Sequence, residues 1–500
     1  MRFLVLACLP AFVNSAFSQD STLTRTFGNI ELNIHTRAGL GALKPACLLG
    51  GKPLIKKLSV WFTALSGSGR DTLVLGDDVF GQNSSWCEGP AAISGDLRLK
   101  RHEWPGLWQV DRLEIVNHRK NFMQTGYKIP GGIALWPGTF VKTGFPTLLA
   151  PYADANLDGL YKPQDGDFPY LPGESNVWSM VSDSAGKTPL YLKNGINVDM
   201  SSLWFGIASN DSTIKSTAMN RLTLCNRSVA DIEQGRLSLA ADFMVGDATD
   251  DYMATDVGNK ALLALNADAN DAVFGINPPA VAVGWLSPKV AAGIRFEQGN
   301  DAVQGAPEQA SQFFNLAAGK WKTGNPLGFG GRGLDAADRK AQFIYPGNTD
   351  ITAPRNWSES GEGNNPGRRT GLISTDTFSL KGGKCRVFDA YLTVLESPGD
   401  EKNRSESLKK VHDVYAAQDF TLFAKASLKP KTKGMVFPNP AARNEPVFVN
   451  MEPQSRVWIY DSRGKCSERI TGPRGEIEFE AAGVYMLRTL AGSASILIVY

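Results

Sequence analysis

Three runs between residues 195 and 245 decide the fold class: GINVDMSSLWFGI at Gly195–Ile207, TIKSTAMNRLTLCN at Thr213–Asn226 and GRLSLAADFMV at Gly235–Val245. Each is rich in β-branched, aromatic and other apolar residues and is bounded by Gly, Asn, Ser or Asp, which is how strands read. The third alternates apolar with small or polar residues. With short connections between them, the three read as neighbouring antiparallel strands of a β-sandwich. Working outward, Leu54–Leu65, containing SVWFTAL, Phe378–Leu380 and Arg386–Leu395 (RVFDAYLTVL) have the same character. The run GLWQVDRLEI at Gly106–Ile115 is too short for periodicity to choose between strand and helix. One helix is predicted, Asn403–Phe423, where Leu408, Val411, Tyr415 and Asp419 trace one face opposite Lys409 and Lys410. With 51 Gly and 28 Pro in 500 residues, the expectation is a mainly β chain with long loops and one helix near the end of its main region.

Carboxylates follow the third run: Asp242, Asp247, Asp250, Asp251 and Asp256. Like charges this dense repel unless water solvates them or a cation neutralises them, so Asp247, Asp250 and Asp251 are candidate calcium ligands beside the plainer reading of a solvated turn. Gly246, Thr249 and Tyr252 offer little apolar cover, which predicts ionised, solvent-facing groups at a structural hairpin end. A stronger candidate is APYADANLDGLYKPQDGDFPY, from Ala150 to Tyr170. Asp154, Asn156 and Asp158 stand at positions 1, 3 and 5 of a calcium loop, Gly159 at the sharp turn, the Leu160 carbonyl at position 7 and Asp165 at position 12. Prolines crowd the flanks, so the loop is read as a structural calcium pin without the helix pair of an EF-hand. The stretch Asn266–Asp271, NADAND, imitates this pattern but puts Asp271 where glycine is needed. Gly328–Gly333 spells G-x-G-x-x-G after Asn325-Pro326 and not after a buried strand, which argues against nucleotide binding.

Basic and acidic residues nearly balance, 52 against 50, so no electrostatic case exists for nucleic acid as a partner. Residues 1–18 read as a signal peptide: Arg2, an apolar core from Phe3 to Val13, and Ala16-Phe17-Ser18 as the cleavage site. No later segment is apolar enough to span a membrane. Beyond the signal, Cys47, Cys87, Cys225, Cys385 and Cys466 permit disulfides in an oxidising compartment, with Cys47 and Cys87 favoured by proximity in sequence. Four His at no ligand spacing argue against zinc. The divisions drawn are 19–145, an N-terminal β-rich region; 146–424, a β-sandwich region holding the calcium loop; 425–434, a polar and basic linker; and 435–500, a small β unit.

That last unit resembles the type A C-terminal sorting domain of the type IX secretion system of Bacteroidetes. The resemblance rests on Val436-Phe437-Pro438-Asn439-Pro440, on Val457-Trp458-Ile459-Tyr460-Asp461 with Gly464, and on Gly483-Val484-Tyr485 before a final apolar strand. It implies a small Ig-like β-sandwich recognised by the secretion machinery, export across both membranes, and release or attachment to surface lipopolysaccharide. Residues from about 100 to 425 also resemble an uncharacterised family of secreted Bacteroidetes proteins, through Ile133–Pro137, the loop at 150–170, GDATDDYMATD at Gly246–Asp256, Phe274-Gly275 with Pro278-Pro279, and Trp357-Ser358-Glu359 with Arg368-Arg369. That resemblance implies location and architecture and no activity.

Two functions follow as expectations. The first is a secreted or outer-membrane cell-surface protein, stabilised by structural calcium, that binds an extracellular polymer or partner cell without catalysis. H-E-x-x-H and G-x-S-x-G are both absent. The alternative is a polysaccharide hydrolase using paired carboxylates.

Overall fold

The computed structural model describes residues 22–36, 39–41, 44–66, 72–81, 83–93, 99, 104, 106–155, 158–183, 197–335 and 339–418, and in the tail 436–437, 447–450, 456–461, 465–470, 474–477, 479, 481, 483–489 and 494–499. The signal segment 1–18, Asn156, Asp419, the linker 425–434 and the motif residues Pro438, Asn439, Pro440 and Gly464 lie outside the described residues. The chain divides into two units, Met1–Ala153 with Tyr161–Ser427 and Asp154–Leu160 with Leu428–Tyr500.

The larger unit is mainly β, built on two antiparallel sheets. The first runs in the order Thr22–Phe27, Ile30–His35, Gly39–Leu40, Lys52–Ser66, Ile232–Phe243, Thr370–Thr375 and Val290–Phe296. In the second the order is Asp251–Asp256, Ala261–Asn266, Ala280–Ser287, Cys385–Leu395, Thr217–Asn226, Val198–Gly206, Ser175–Ser182 and Cys87–Glu88. Strand alternation sorts side chains between two cores. Met200, Leu222, Leu224, Val281, Val283, Phe388, Leu392 and Val394 face the first sheet and pack with its Leu58, Val60, Phe62, Leu237 and Leu239. Their neighbours in sequence, Leu203, Phe205, Met219, Ala282 and Tyr391, point the other way into a second core. Both faces of the second sheet are therefore buried, which is why its strands read as nearly continuous apolar runs.

Helix Glu401–Ala416 covers part of that outer face, burying Leu408 and Val411 beside Tyr391 and Leu395. It starts two residues before the expected Asn403. Asp400 is the N-cap, its carboxylate accepting the Asn403 N–H at 2.8 Å, and a cap side chain outranks the onset of apolar periodicity in setting a helix start. The ambiguous run at 106–115 proves to be both structures. Leu107–Asp111 is a strand and Arg112–Asn121 a helix, joined at Asp111, whose N–H donates to the Glu114 carboxylate at 2.8 Å.

Three expectations need correction. The runs at 198–206 and 217–226 are neighbours, but Ile232–Phe243 crosses to the other sheet and pairs with Lys52–Ser66 and Thr370–Thr375. The edge of Thr217–Asn226 that it would have occupied is taken by Cys385–Leu395. Cys47 and Cys87 are not joined, because Cys47 belongs to a strand of the first sheet and Cys87 to one of the second. The disulfide is Cys225–Cys385, between directly opposed residues whose Cα atoms are 4.0 Å apart. Finally, Lys52–Ser66 and Leu107–Asp111 hydrogen-bond to strands beyond residue 170, so the line drawn at 145/146 does not separate sheets.

In the tail, strands Val436–Phe437, Val447–Asn450 and Arg474–Ile477 form one sheet, and Cys466–Ile470, Arg456–Tyr460, Gly483–Thr489 and Ala494–Val499 a second. Ile459, Phe479 and Leu487 are buried, and the Tyr485 hydroxyl donates to the Ala481 carbonyl at 2.9 Å. Among the described residues no helix is long and apolar enough to cross a membrane.

Peptide mapping without reductant is expected to recover the 225–385 cross-link and no 47–87 cross-link. Cys225→Ser with Cys385→Ser should cost about 2–4 kcal/mol of stability, read by denaturant unfolding.

Candidate functional site

The loop at 154–165 is held at its base. Tyr152–Ala153 pairs with Phe168–Pro169, the Tyr161 hydroxyl donates to the Ile133 carbonyl at 2.6 Å, and the Trp136 indole donates to the Pro151 carbonyl at 3.0 Å. Ile133 and Trp136 are themselves buried, so the aromatics of this segment are core and not a binding platform. Asp167, fully buried, accepts the Lys162 N–H through its carboxylate and contacts His118 Nε2 through its carbonyl. In the tip, Asp154 accepts N–H groups of Asp158 and Gly159 at 3.2 and 2.8 Å, and Asp158 accepts that of Leu160 at 2.8 Å. Gly159 has φ +80°, the left-handed turn for which glycine was expected at position 6. Asp165 is exposed on the short 3-10 turn Pro163–Asp165.

The carboxylates at 242–256 do not form one group. Asp242 is buried on the strand Ile232–Phe243, where Arg368 holds it in a two-pronged ion pair and the Thr370 hydroxyl donates at 3.0 Å. Asp256 accepts the N–H and side-chain amide of Asn259. Between them, Asp247 to Asp250 form the crossing from the first sheet to the second, so the segment is not a hairpin end. Asp247 accepts the N–H and hydroxyl of Thr249, which hold its carboxyl below the usual carboxylate range.

Asp251 departs most from expectation. It is fully buried and not solvent-facing. Burial, opposed by the Val245 N–H that it accepts at 3.0 Å, pushes its carboxyl up to about 8, with the negative charges of Asp250 and Asp271 adding to the rise. This burial is tertiary and does not come from Gly246, Thr249 or Tyr252. Asp250 is also raised, by burial and then by Asp271 and Asp247.

Sequence spacing missed the residues facing these. Strand register sets Asn266 directly opposite Asp251. Asp271, rejected at the turn position of a linear loop, is buried and gathers three N–H groups, from Asp247 at 2.9 Å, Val273 at 2.8 Å and Phe274 at 2.5 Å. A Cβ on Gly246, at φ +65°, would fall 2.1 Å from Asp271 Oδ1. The available signal was that GDATDD follows the predicted strand Gly235–Val245 and that NADAND is a second acidic run close by in sequence. Among the described residues no three His, Cys, Asp or Glu side chains already stand in ligating geometry.

Three other buried carboxylates face arginine: Asp199 with Arg227, Asp389 with Arg221, Glu359 with Arg369. A cavity of about 80 Å³, lined by residues including Tyr252, Thr255, Tyr345, Glu359, Glu401 and Arg404, falls well short of the roughly 300–1,000 Å³ of small-molecule sites. The glycine-rich stretch at 328–333 is a turn, closed by the Gly328 N–H on the Gly333 carbonyl and by the Trp321 indole on that same carbonyl.

No protein-family model matches the chain, and no curated protein matches it. Solved structures similar to it include a polysaccharide lyase, 9% identical over 62% of this chain and 35% of that one with a TM-score of 0.21. A copper-containing benzylamine oxidase from Hansenula polymorpha is 9% identical over 81% and 65% with a TM-score of 0.30. An amine oxidase from Aspergillus nidulans is 9% identical over 81% and 56% with a TM-score of 0.26. The chain thus spans 35 to 65% of those chains, and likeness at this level carries no functional argument.

Arg368→Met leaves Asp242 buried without its counter-charge and should cost roughly 3–5 kcal/mol in urea unfolding. Adding Asp242→Asn should recover a large part of that loss.

Proposed function

We propose that this chain is an exported, cell-surface or secreted β-sandwich protein, stabilised by calcium, that binds an extracellular polymer or surface without catalysis. The observation that carries the non-catalytic reading is the commitment of buried carboxylates to structure. Asp199, Asp242, Asp389 and Glu359 each face an arginine. Asp251, whose carboxyl is raised to about 8, is enclosed, whereas a general acid must lie within hydrogen-bond reach of its substrate. Support for calcium at 154–165 comes from ligand spacing, from the left-handed Gly159, and from the paired base that holds the loop. Residues 1–18 and the motifs in 435–500 support export through the type IX secretion machinery, and the same resemblance supports lipopolysaccharide as the attachment point.

Flow dialysis on the mature protein should find calcium bound, and Asp158→Ala should remove one equivalent and lower the melting temperature measured in calcium. An unchanged calcium count in that variant contradicts the loop assignment. A chain ending near Phe423 should fold yet remain in the periplasm; its appearance at the surface would overturn the sorting role of the tail. Panels of labelled polysaccharides should show retention without chain cleavage, and turnover would favour the hydrolase instead.

A further inference from the structure

The crossing at Gly246–Asp250 and the turn at Asn266–Asp271 come together although fifteen or more residues separate them in sequence. Their backbones are tied: the Asp247 N–H donates to Asp271 Oδ2 at 2.9 Å and the Ala267 N–H to the Asp250 carbonyl at 2.7 Å. Three side-chain oxygens at this junction are buried without a hydrogen-bond donor, Oδ1 of Asp250, Oδ1 of Asp251 and Oδ1 of Asn266. Asp251 is completely buried, and Asn266 is 7% exposed. The amide orientation of Asn266 is set by its nitrogen, which donates to Asp268 and to the Asn270 carbonyl, each at 3.3 Å. Its oxygen is left over.

A buried oxygen without a donor is destabilising, and more so when charged. Three at one junction, ringed by Asp247, Asp268 and Asp271, call for a positive charge. Asp250 and Asp251 each feel Asp271 and one another or Asp247 as repulsive neighbours, and the Arg369 charge offsets this only at Asp251 and as the smallest influence there. Every available donor atom is a hard oxygen, from carboxylate, amide or main-chain carbonyl. That set suits calcium, which takes about 6–8 oxygens in flexible geometry, over softer or strictly octahedral ions.

We propose that Asp250, Asp251 and Asn266, with Asp268 at the rim, bind a calcium ion between the two loops, and that Asp271 positions both loops through its three N–H contacts. The ion ties the end of Asp251–Asp256 to the end of Ala261–Asn266, at the point where the chain passes from one sheet to the other. Asp271 is a positioning residue because its carboxylate is already filled by N–H groups. This site is independent of the loop at 154–165.

The test uses the full mature chain carrying Asp158→Ala, so that the first loop is silenced. Calcium binding is counted by flow dialysis, and terbium luminescence is read as a second probe, with Tyr252 beside the site as sensitiser. One calcium equivalent is expected to remain in Asp158→Ala and to disappear when Asp250→Asn and Asp251→Asn are added. In chelator, the added substitutions should leave the melting temperature unchanged or raised, since they remove like charges; in calcium, the rise shown by the Asp158→Ala parent should vanish. Should the triple variant fail to fold, Asp250→Asn alone on the Asp158→Ala background decides: calcium affinity should fall by roughly tenfold or more with an unchanged circular-dichroism spectrum. The proposal is overturned if Asp158→Ala binds no calcium, if the Asn variants bind it as tightly as their parent, or if they melt lower than the parent in chelator. Calcium lost entirely with Asp158→Ala leaves the first loop standing and removes the second; a calcium count unchanged by Asp158→Ala and lowered by Asp250→Asn removes the first and leaves the second.

Discussion

Strand Cys385–Leu395 lies inside the second sheet, hydrogen-bonded on one side to Thr217–Asn226 and on the other to Ala280–Ser287. The rest of the sandwich depends on this insertion. Without it the sheet is two fragments, 175–226 and 251–287, each with an open edge of unpaired backbone groups. The inserted strand brings Phe388, Ala390, Leu392 and Val394 to the core between the sheets and Tyr391 and Leu395 to the outer one. Its first residue is cross-linked to the strand beside it through Cys225. Closure over such sequence distances is a slow, non-local event, which gives a covalent tie between the two strands a clear use.

The same closure creates the electrostatic problem that the buried ions answer. Strands of the two sheets carry Asp199, Asp242, Asp251 and Asp389 in buried positions, and removing a carboxylate from water costs several kcal/mol unless a partner compensates. Three of the four meet an arginine: Arg227, Arg368 and Arg221 respectively for Asp199, Asp242 and Asp389. The Asp389 site is further completed by the Tyr415 hydroxyl at 2.5 Å, which ties helix Glu401–Ala416 to the sheet. Asp251 meets one backbone N–H and acidic neighbours instead. That contrast separates ordinary internal ion pairs from the junction at 246–271.

Legibility followed the range of the interaction. Strand character at 52–66, 198–206, 217–226 and 385–395, the core role of Leu408 and Val411, and the glycine turn at 159 were all readable, because each depends on alternation, helical spacing or a backbone angle within a few residues. The mainly β class follows from the same local signals. The junction between Asp251 and Asn266 was half legible. Its carboxylates drew notice as a run, but their depth and their partners did not show, since burial comes from sheets whose strands lie far away in sequence.

By itself, then, the sequence determined that segments such as 54–65, 198–206, 217–226 and 386–395 would extend, that the chain turns at Gly159, and that carboxylates gather at two places. Only the tertiary structure decided that Ile232–Phe243 leaves its sequence neighbours for the opposite sheet, that Cys225 takes Cys385 and not Cys47 taking Cys87, and that Asp271 serves as a loop anchor. The physical reason is the period-two geometry of a strand. It fixes which side chains share a face but leaves both edges equally able to pair, so the choice of neighbour falls to competition among distant strands for the same edge.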